Sequence, residues 1–217
     1  MNLVFLGAPG SGKGTQAMRL AHRLSIPHLS TGDLLRAAVR DNTPLGRDAQ
    51  KYMAAGELVP DQVIIGLIGE KQAAGELARG FILDGFPRTV PQAEALDALV
   101  GDGAGIDRAI LLQVDRDEIV RRLSNRLYCE ACQVIYGMAT NPPRRAGVCD
   151  RCGGRLRPRA DDAPDVIGHR LDVYRQQSQP VEEYYRTRSL LLMIAGVGTP
   201  DQIFSRVAAG LNVSVDA

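Results

Sequence analysis

An α/β fold with a mostly parallel sheet is the architecture this sequence predicts, on three observations. Short apolar runs alternate with longer amphipathic stretches, the pattern of strands wound between helices. A glycine-rich loop, Gly7-Ala8-Pro9-Gly10-Ser11-Gly12-Lys13-Gly14-Thr15, follows the first apolar run and opens the first amphipathic stretch, the strand–loop–helix order of a parallel α/β unit. Two segments, roughly 30–59 and 126–163, break the alternation and read as insertions between the units of a core.

Asn2–Leu6 is apolar after its first residue and stops at Gly7, so it reads as a buried strand. Residues 15–24 form the first helix and residues 26–29 a short second strand. The third strand, 80–83, closes on Asp84; the fourth is 108–114 and the fifth 190–194. Residues 91–99 read as a helix with proline in its first turn, where the missing N–H costs nothing. The last helix covers 201–211. In the first insertion, Ser30 and Thr31 offer hydroxyls to cap a helix, and Asn42-Thr43-Pro44 marks a turn. The second insertion has lost helical periodicity and holds all four cysteines.

The 217 residues are 45% hydrophobic and 24% charged, an ordinary soluble composition for one domain with small insertions. A net charge of +1 argues against wholesale binding to nucleic acid or an anionic membrane. No apolar run approaches the roughly 18–20 residues that span a bilayer, and the first residues carry no basic flank or cleavage site. A cytoplasmic protein is expected, and no feature demands a dimer. Of 26 basic residues, 23 are arginine; only Lys13, Lys51 and Lys71 are lysine. Genome base composition accounts for that bias, but it makes a lysine inside the glycine-rich loop informative.

In such a loop, glycines let successive N–H groups turn inward around an anion, and the helix N-terminus adds its dipole. Lys13 would reach the β- and γ-phosphates. Gly14 stands between Lys13 and Thr15, where the strict pattern has Ser or Thr directly after the lysine. Asp84, at a strand end, can face this loop and hold Mg²⁺ through water together with Thr15. An aspartate there is otherwise a turn or cap residue, but Gly85-Phe86-Pro87-Arg88-Thr89 follows it.

These stretches resemble the adenylate kinases. The matching motifs are GAPGSGKGTQ at 7–16, STGDLLR at 30–36, GELVPD at 56–61, LDGFPRT at 83–89 and RADD at 159–162, in family order along nearly the whole chain. The resemblance implies a doubly wound five-stranded parallel core (1–29, 60–125 and 164–217), an AMP-binding insertion (30–59) and a lid (126–163). It implies reversible, Mg²⁺-dependent phosphoryl transfer from ATP to AMP giving two ADP. Carried over by position, Gly10, Ser11, Gly12, Lys13, Gly14 and Thr15 would hold the ATP phosphates. Thr31, Arg36, Gly85, Arg88 and Gln92 would hold AMP, with Glu57, Leu58 and Val59 beside its adenine. Arg126, Arg159 and Arg170 would reach the phosphates as the lid closes, so that Lys13, Arg36, Arg88 and these three carry the catalysis. Arg122, Ile135 and Tyr136 would wall the ATP side, and Gly198 would meet its base. Arg122 and Arg170 rest mainly on the alignment. Two departures stand out: Asn125-Arg126-Leu127 replaces the usual Gly-Arg-Arg at the start of the lid, and Gly198-Thr199-Pro200 lies in a variable segment.

Cys129-x₂-Cys132 and Cys149-x₂-Cys152 are two knuckles sixteen residues apart, the spacing of a structural four-cysteine zinc site. Two disulfides would use the same residues, but a cytosolic chain and the paired spacing favour metal. Seven arginines and four acids between 126 and 163 give the lid an excess of positive charge, part of which survives a zinc tetrathiolate. Two other readings compete: UMP or CMP as acceptor or GTP as donor, and a zinc-ribbon nucleic-acid-binding NTPase using Arg144, Arg145, Arg151, Arg155 and Arg157. Thr31 and the long lid favour AMP, and the near-neutral charge and scarcity of basic aromatic surface oppose the nucleic-acid reading.

Overall fold

The first strand sets the architecture by splitting its side chains between two faces. In β1 (Asn2–Leu6), Val4 and Leu6 enter one buried cluster and Leu3 and Phe5 another, as a pleat of period two requires. Both sets are buried, so both faces of the sheet must be covered. The computed structural model describes residues 1–101, 105–138 and 140–214.

After β1 come α1 (Lys13–Leu24), β2 (His28–Ser30), α2 (Thr31–Arg40), α3 (Pro44–Ala55), α4 (Asp61–Ala73), β3 (Phe81–Asp84), α5 (Val90–Val100), β4 (Arg108–Gln113) and α6 (Arg116–Ser124). A small second sheet follows, made of β5 (Arg126–Cys129), β6 (Ile135–Gly137) and β7 (Leu156–Arg157). The chain returns through α7 (Pro164–Val173), a π-type segment (Tyr174–Ser178), α8 (Pro180–Thr187), β8 (Leu191–Ala195) and α9 (Pro200–Gly210). The five core strands pair in parallel in the order β2-β3-β1-β4-β8.

Leu3, Phe5, Ile82, Ile110 and Leu112 pack on α1 and α9 through Ala17, Leu20, Ile203, Phe204 and Val207. Val4, Leu6, Phe81, Leu83 and Leu111 pack on α4, α5 and α8 through Ile64, Ile68, Leu96, Val181 and Tyr185. Each such buried side chain is worth about 1.5–3 kcal/mol, which is why the fully apolar runs stay extended and central. The strand order reverses at β1, and a parallel sheet binds ligands beyond the carboxyl ends of its strands at that switch point.

The predicted elements are present, with shifted ends. The second strand starts at His28 because Pro27 has no N–H to give to a ladder. The first helix starts at Lys13, two residues early, because Gly12 at φ 99° already serves as its N-cap. In 30–59 the two helices are capped by Ser30 Oγ, accepting from Asp33 N, and Thr43 Oγ1, accepting from Gly46 N. The segment without helical periodicity is β5, β6 and β7, antiparallel in the order β6-β5-β7. Strands of four, three and two residues are too short to write an alternation into sequence. Among the described residues, no helix is long and apolar enough to cross a membrane.

Candidate active site

Beyond the carboxyl ends of the core strands lies one large cleft. β1 delivers the loop, β2 leads to Ser30, β3 ends in Asp84, Gly85, Pro87 and Arg88, and Gly198 follows β8; all of these line it. Gly10, Gly12, Lys13, Gly14 and Thr15 line it too, whereas the Ser11 side chain is buried beneath the loop.

Gly12 holds a left-handed backbone at the helix N-cap, a conformation that costs side-chain-bearing residues about 1 kcal/mol or more. At Gly14 the contact is with a side chain: a Cβ there would lie 3.0 Å from Asp84 Oδ2 and would have to displace that carboxylate slightly. The strand-end carboxylate therefore closes over the loop where Ser or Thr would ordinarily stand. The Lys13 ammonium donates to the carbonyls of Gly7 and Ala8, at 2.7 and 2.9 Å. An ammonium has three donors, so one is left for a ligand. Burial lowers the Lys13 pKa to about 8; nearby Asp84 opposes this, and Arg88, Arg170 and Arg126 add to it.

Eight cations line the cleft, Lys13 with Arg36, Arg88, Arg121, Arg122, Arg126, Arg159 and Arg170, against the carboxylates of Asp33 and Asp84. Burial, and then repulsion from neighbouring arginines, lower Arg88 and Arg159 to about 10, still fully charged at neutral pH. Arg159 is buried with Nε and a terminal nitrogen unpartnered, and Arg36 Nε is unpartnered as well. Buried donors without acceptors are costly, and a multiply charged anion would satisfy them. Carboxylates hold several of the cleft's arginines. Asp162 accepts two bonds of 2.6 Å from Arg126 and one of 3.0 Å from Arg170, Asp161 Oδ2 lies 3.2 Å from Arg170, and Asp33 pairs with Arg36.

A second, smaller cavity adjoins, lined by Thr31, Arg36, Glu57, Leu58, Val59, Gly85, Arg88, Gln92 and Arg170. Sequence reasoning thus brought together every residue it assigned to one acceptor pocket except Arg159, which lines the large cleft. Thr31 Oγ1 and Arg88 Nε both donate to the Gly85 carbonyl at 2.8 Å. Arg122, Ile135, Tyr136 and Gly198, which the resemblance assigned to ATP, line the large cleft. Arg122 donates to the carbonyls of Ser11 (3.3 Å) and Gly196 (2.9 Å), so it ties α6 to the loop.

The adenylate kinase family model matches residues 5–190. Proteins named adenylate kinase are similar along nearly their whole length. That of Trichlorobacter lovleyi is 50% identical over 97% of this chain and 99% of its own. Those of Thermodesulfovibrio yellowstonii and Lysinibacillus sphaericus are 48% and 45% identical, over 96% and 99% of this chain and 98% and 99% of theirs. The chain belongs to the adenylate kinase family. It is thereby a phosphotransferase of the nucleoside monophosphate kinase class.

This adenylate kinase carries its four cysteine thiols as one cluster, with all four sulfurs within 4.8 Å of one another. Cys129 and Cys152 Sγ are 3.4 Å apart, and Cys132 and Cys149 Sγ 3.5 Å. A tetrahedral zinc with Zn–S of about 2.3 Å puts its sulfurs about 3.8 Å apart, so the donor set fits the ion. The Tyr136 ring lines the cleft, while its hydroxyl accepts from Asp150 N at 2.7 Å and touches Cys149 Sγ at 3.5 Å. One side chain therefore joins the wall of the large cleft to the cysteine cluster.

Asn125, where glycine is usual, has φ −107° and donates to the Arg121 carbonyl at 2.8 Å. It closes the last turn of α6 without needing a left-handed backbone. Several functional neighbours escaped sequence reasoning. Asp161 and Asp162 stand in the RADD motif, and carboxylates beside an arginine cluster were the available signal. Asp61 reaches Thr89 and Gln92 across 28 and 31 residues, and His169 Nε2 lies 2.6 Å from Glu57 Oε1; neither contact leaves a local trace.

Proposed function

We propose that this enzyme transfers the γ-phosphoryl group of ATP to AMP, reversibly and with Mg²⁺, with the donor in the large cleft and the acceptor in the adjoining one. The observation that carries the reading is the arginine cluster of two adjoining cavities: part-buried Arg36, Arg88 and Arg170 line both, and buried, partly unpartnered Arg159 lines the larger. A polyphosphate and a monophosphate placed end to end would satisfy them.

The nucleophile is an AMP phosphate oxygen, whose second pKa near 6 leaves it largely ionised at neutral pH. No general base is required. Catalysis then rests on in-line positioning and stabilisation of charge spread over the transferred group. Lys13 and the loop amides hold the donor phosphates. Arg36 and Arg88 grip the acceptor phosphate, and Arg126, Arg159 and Arg170 surround the transferred group. Planar guanidinium forks suit phosphate oxygens in pairs. Mg²⁺, when bound, would neutralise donor phosphate charge, with Thr15 and Asp84 holding it through water. Glu57, Leu58, Val59 and Gln92 face the acceptor base; Arg122, Ile135, Tyr136 and Gly198 face the donor.

The working parts follow the same division: a core of 1–29, 60–125 and 164–217, an acceptor insertion of 30–59 and a lid of 126–163. Closure of the lid excludes the water that would otherwise hydrolyse ATP. The cysteines hold structural zinc, because the lid's own buried cluster is little more than Cys129, Tyr136, Cys149 and Leu156, too small to fold on packing alone. The four free thiols suit the reducing cytoplasm. A monomer suffices, because a single chain lines the whole cleft.

The test is a coupled assay of ADP formation with Mg²⁺, offering AMP, UMP, CMP and GMP in turn and ATP or GTP as donor. Activity confined to ATP and AMP is expected. Preference for a pyrimidine acceptor would overturn the acceptor assignment while leaving the chemistry.

A further inference from the structure

Gln92, on the acceptor cavity, is buried, and both ends of its side-chain amide are held. Its Oε1 accepts from the backbone N of Arg88 at 2.7 Å, and its Nε2 donates to Asp61 Oδ1 at 2.7 Å. Asp61 is itself anchored, because its Oδ2 accepts from Thr89 Oγ1 at 2.8 Å. An amide can ordinarily flip, exchanging a donor for an acceptor at each end. Here the partners forbid it: a backbone N–H can only donate, and an ionised carboxylate can only accept.

We infer that Asp61 is a specificity-determining residue that locks the Gln92 amide in the orientation complementary to a 6-aminopurine. This rests on the reading that Gln92 faces the acceptor base. An amide oxygen has two lone pairs and its nitrogen two hydrogens. Arg88 and Asp61 take one of each, which leaves one acceptor and one donor in the amide plane. Adenine answers that pair with its N6 amino group as donor and N1 as acceptor. A 6-oxopurine presents the reverse, an O6 acceptor and an N1–H donor, and meets the locked amide with two mismatched contacts. Flipping the amide would exchange the preference, and Asp61 opposes the flip at one end of the amide as the Arg88 N–H does at the other. Asp61 also lies in the first turn of α4, where negative charge is favourable. That role accounts for its presence but not for its two oxygens being spent on α5 and its N-cap.

Asparagine at 61 can turn its own amide to accept or donate, so Asp61→Asn removes one of the two constraints on Gln92 while keeping size and shape, and leaves only the Arg88 N–H to oppose a flip. The probe is inosine monophosphate, which differs from AMP in the group at position 6 and the protonation of N1. kcat/KM for AMP and IMP is measured in the wild type, Asp61→Asn, Asp61→Ser and Gln92→Leu, together with KM for ATP and the thermal midpoint. Asp61→Asn should narrow the AMP-over-IMP ratio by about tenfold or more, part of it through a rise in absolute activity toward IMP, with KM for ATP unmoved. A purely structural loss would lower both acceptors together and gain nothing for IMP. If Asp61→Asn does not fold, Asp61→Ser is judged by the same ratio. An unchanged ratio in the folded aspartate variant, with the ratio collapsed in Gln92→Leu, overturns the lock alone. An unchanged ratio in Gln92→Leu overturns the lock together with the reading that Gln92 faces the base.

Discussion

Asp162 is the point at which the head of β5 is strapped to α7, and Asp162→Asn measures that strap without opening a cavity. The carboxylate is buried and accepts three charge-assisted hydrogen bonds, two from Arg126 at the head of β5 and one from Arg170 on α7. Bonds of this kind contribute about 1.5–3 kcal/mol each. Asparagine keeps one accepting oxygen, and its amide nitrogen would face a guanidinium that can only donate. Asp161 continues to hold Arg170. The net loss should therefore sit near the lower end of the range for breaking a buried ion pair, about 3 kcal/mol. For a chain of this size that is a fall of about 6–12 °C in thermal midpoint. The assay is calorimetric unfolding of both proteins without nucleotide, repeated with ATP and AMP in Mg²⁺-free buffer so that no turnover occurs. Bound phosphate oxygens would replace the missing acceptor for both arginines, so the deficit should shrink when nucleotide is present. A nucleotide-free shift below about 2 °C would refute the account of Asp162 as the strap.

Three further expectations follow from the same cleft. Lys13→Ala and Arg88→Ala should each lower kcat by about a hundredfold or more with circular dichroism and thermal midpoint near wild type; near-normal turnover in either would remove that residue from the site. Because burial holds Lys13 near 8 without ligand, kcat/KM for ATP should fall as pH rises above about 8, where the ammonium loses its proton. The fall in kcat should come at higher pH, since bound phosphate stabilises the charged form; a flat kcat/KM profile to pH 9.5 would contradict this. Cys129→Ser should lose bound zinc by elemental analysis and expose 126–163 to proteolysis at temperatures where the core remains folded, and unchanged zinc content would defeat the tetrathiolate.

The linear sequence determined whatever is encoded by neighbouring residues. Short apolar runs marked most of the core strands, because strands buried on both faces, as β1 and the centre of β4 are, must be apolar throughout. The phosphate loop was legible because glycines, lysine and helix start are contiguous. The cysteine pairs were legible because one knuckle grips one edge of a tetrahedron. Family resemblance then assigned the acceptor and lid residues, and most of them meet in two adjoining cavities. Tertiary structure alone decided the rest. The lid's strands are too short to print a period, and their pairing comes from Leu127 meeting Tyr136 and Tyr128 meeting Arg157 across the turns. Gly14 meets the Asp84 carboxylate only once another strand delivers it. Asp61 and Asp162 look like ordinary polar residues until folding turns their carboxylates onto Gln92, Thr89, Arg126 and Arg170. A hydrogen bond acts over about 3 Å, and which groups come that close across tens of residues is fixed by the packing of strands and helices.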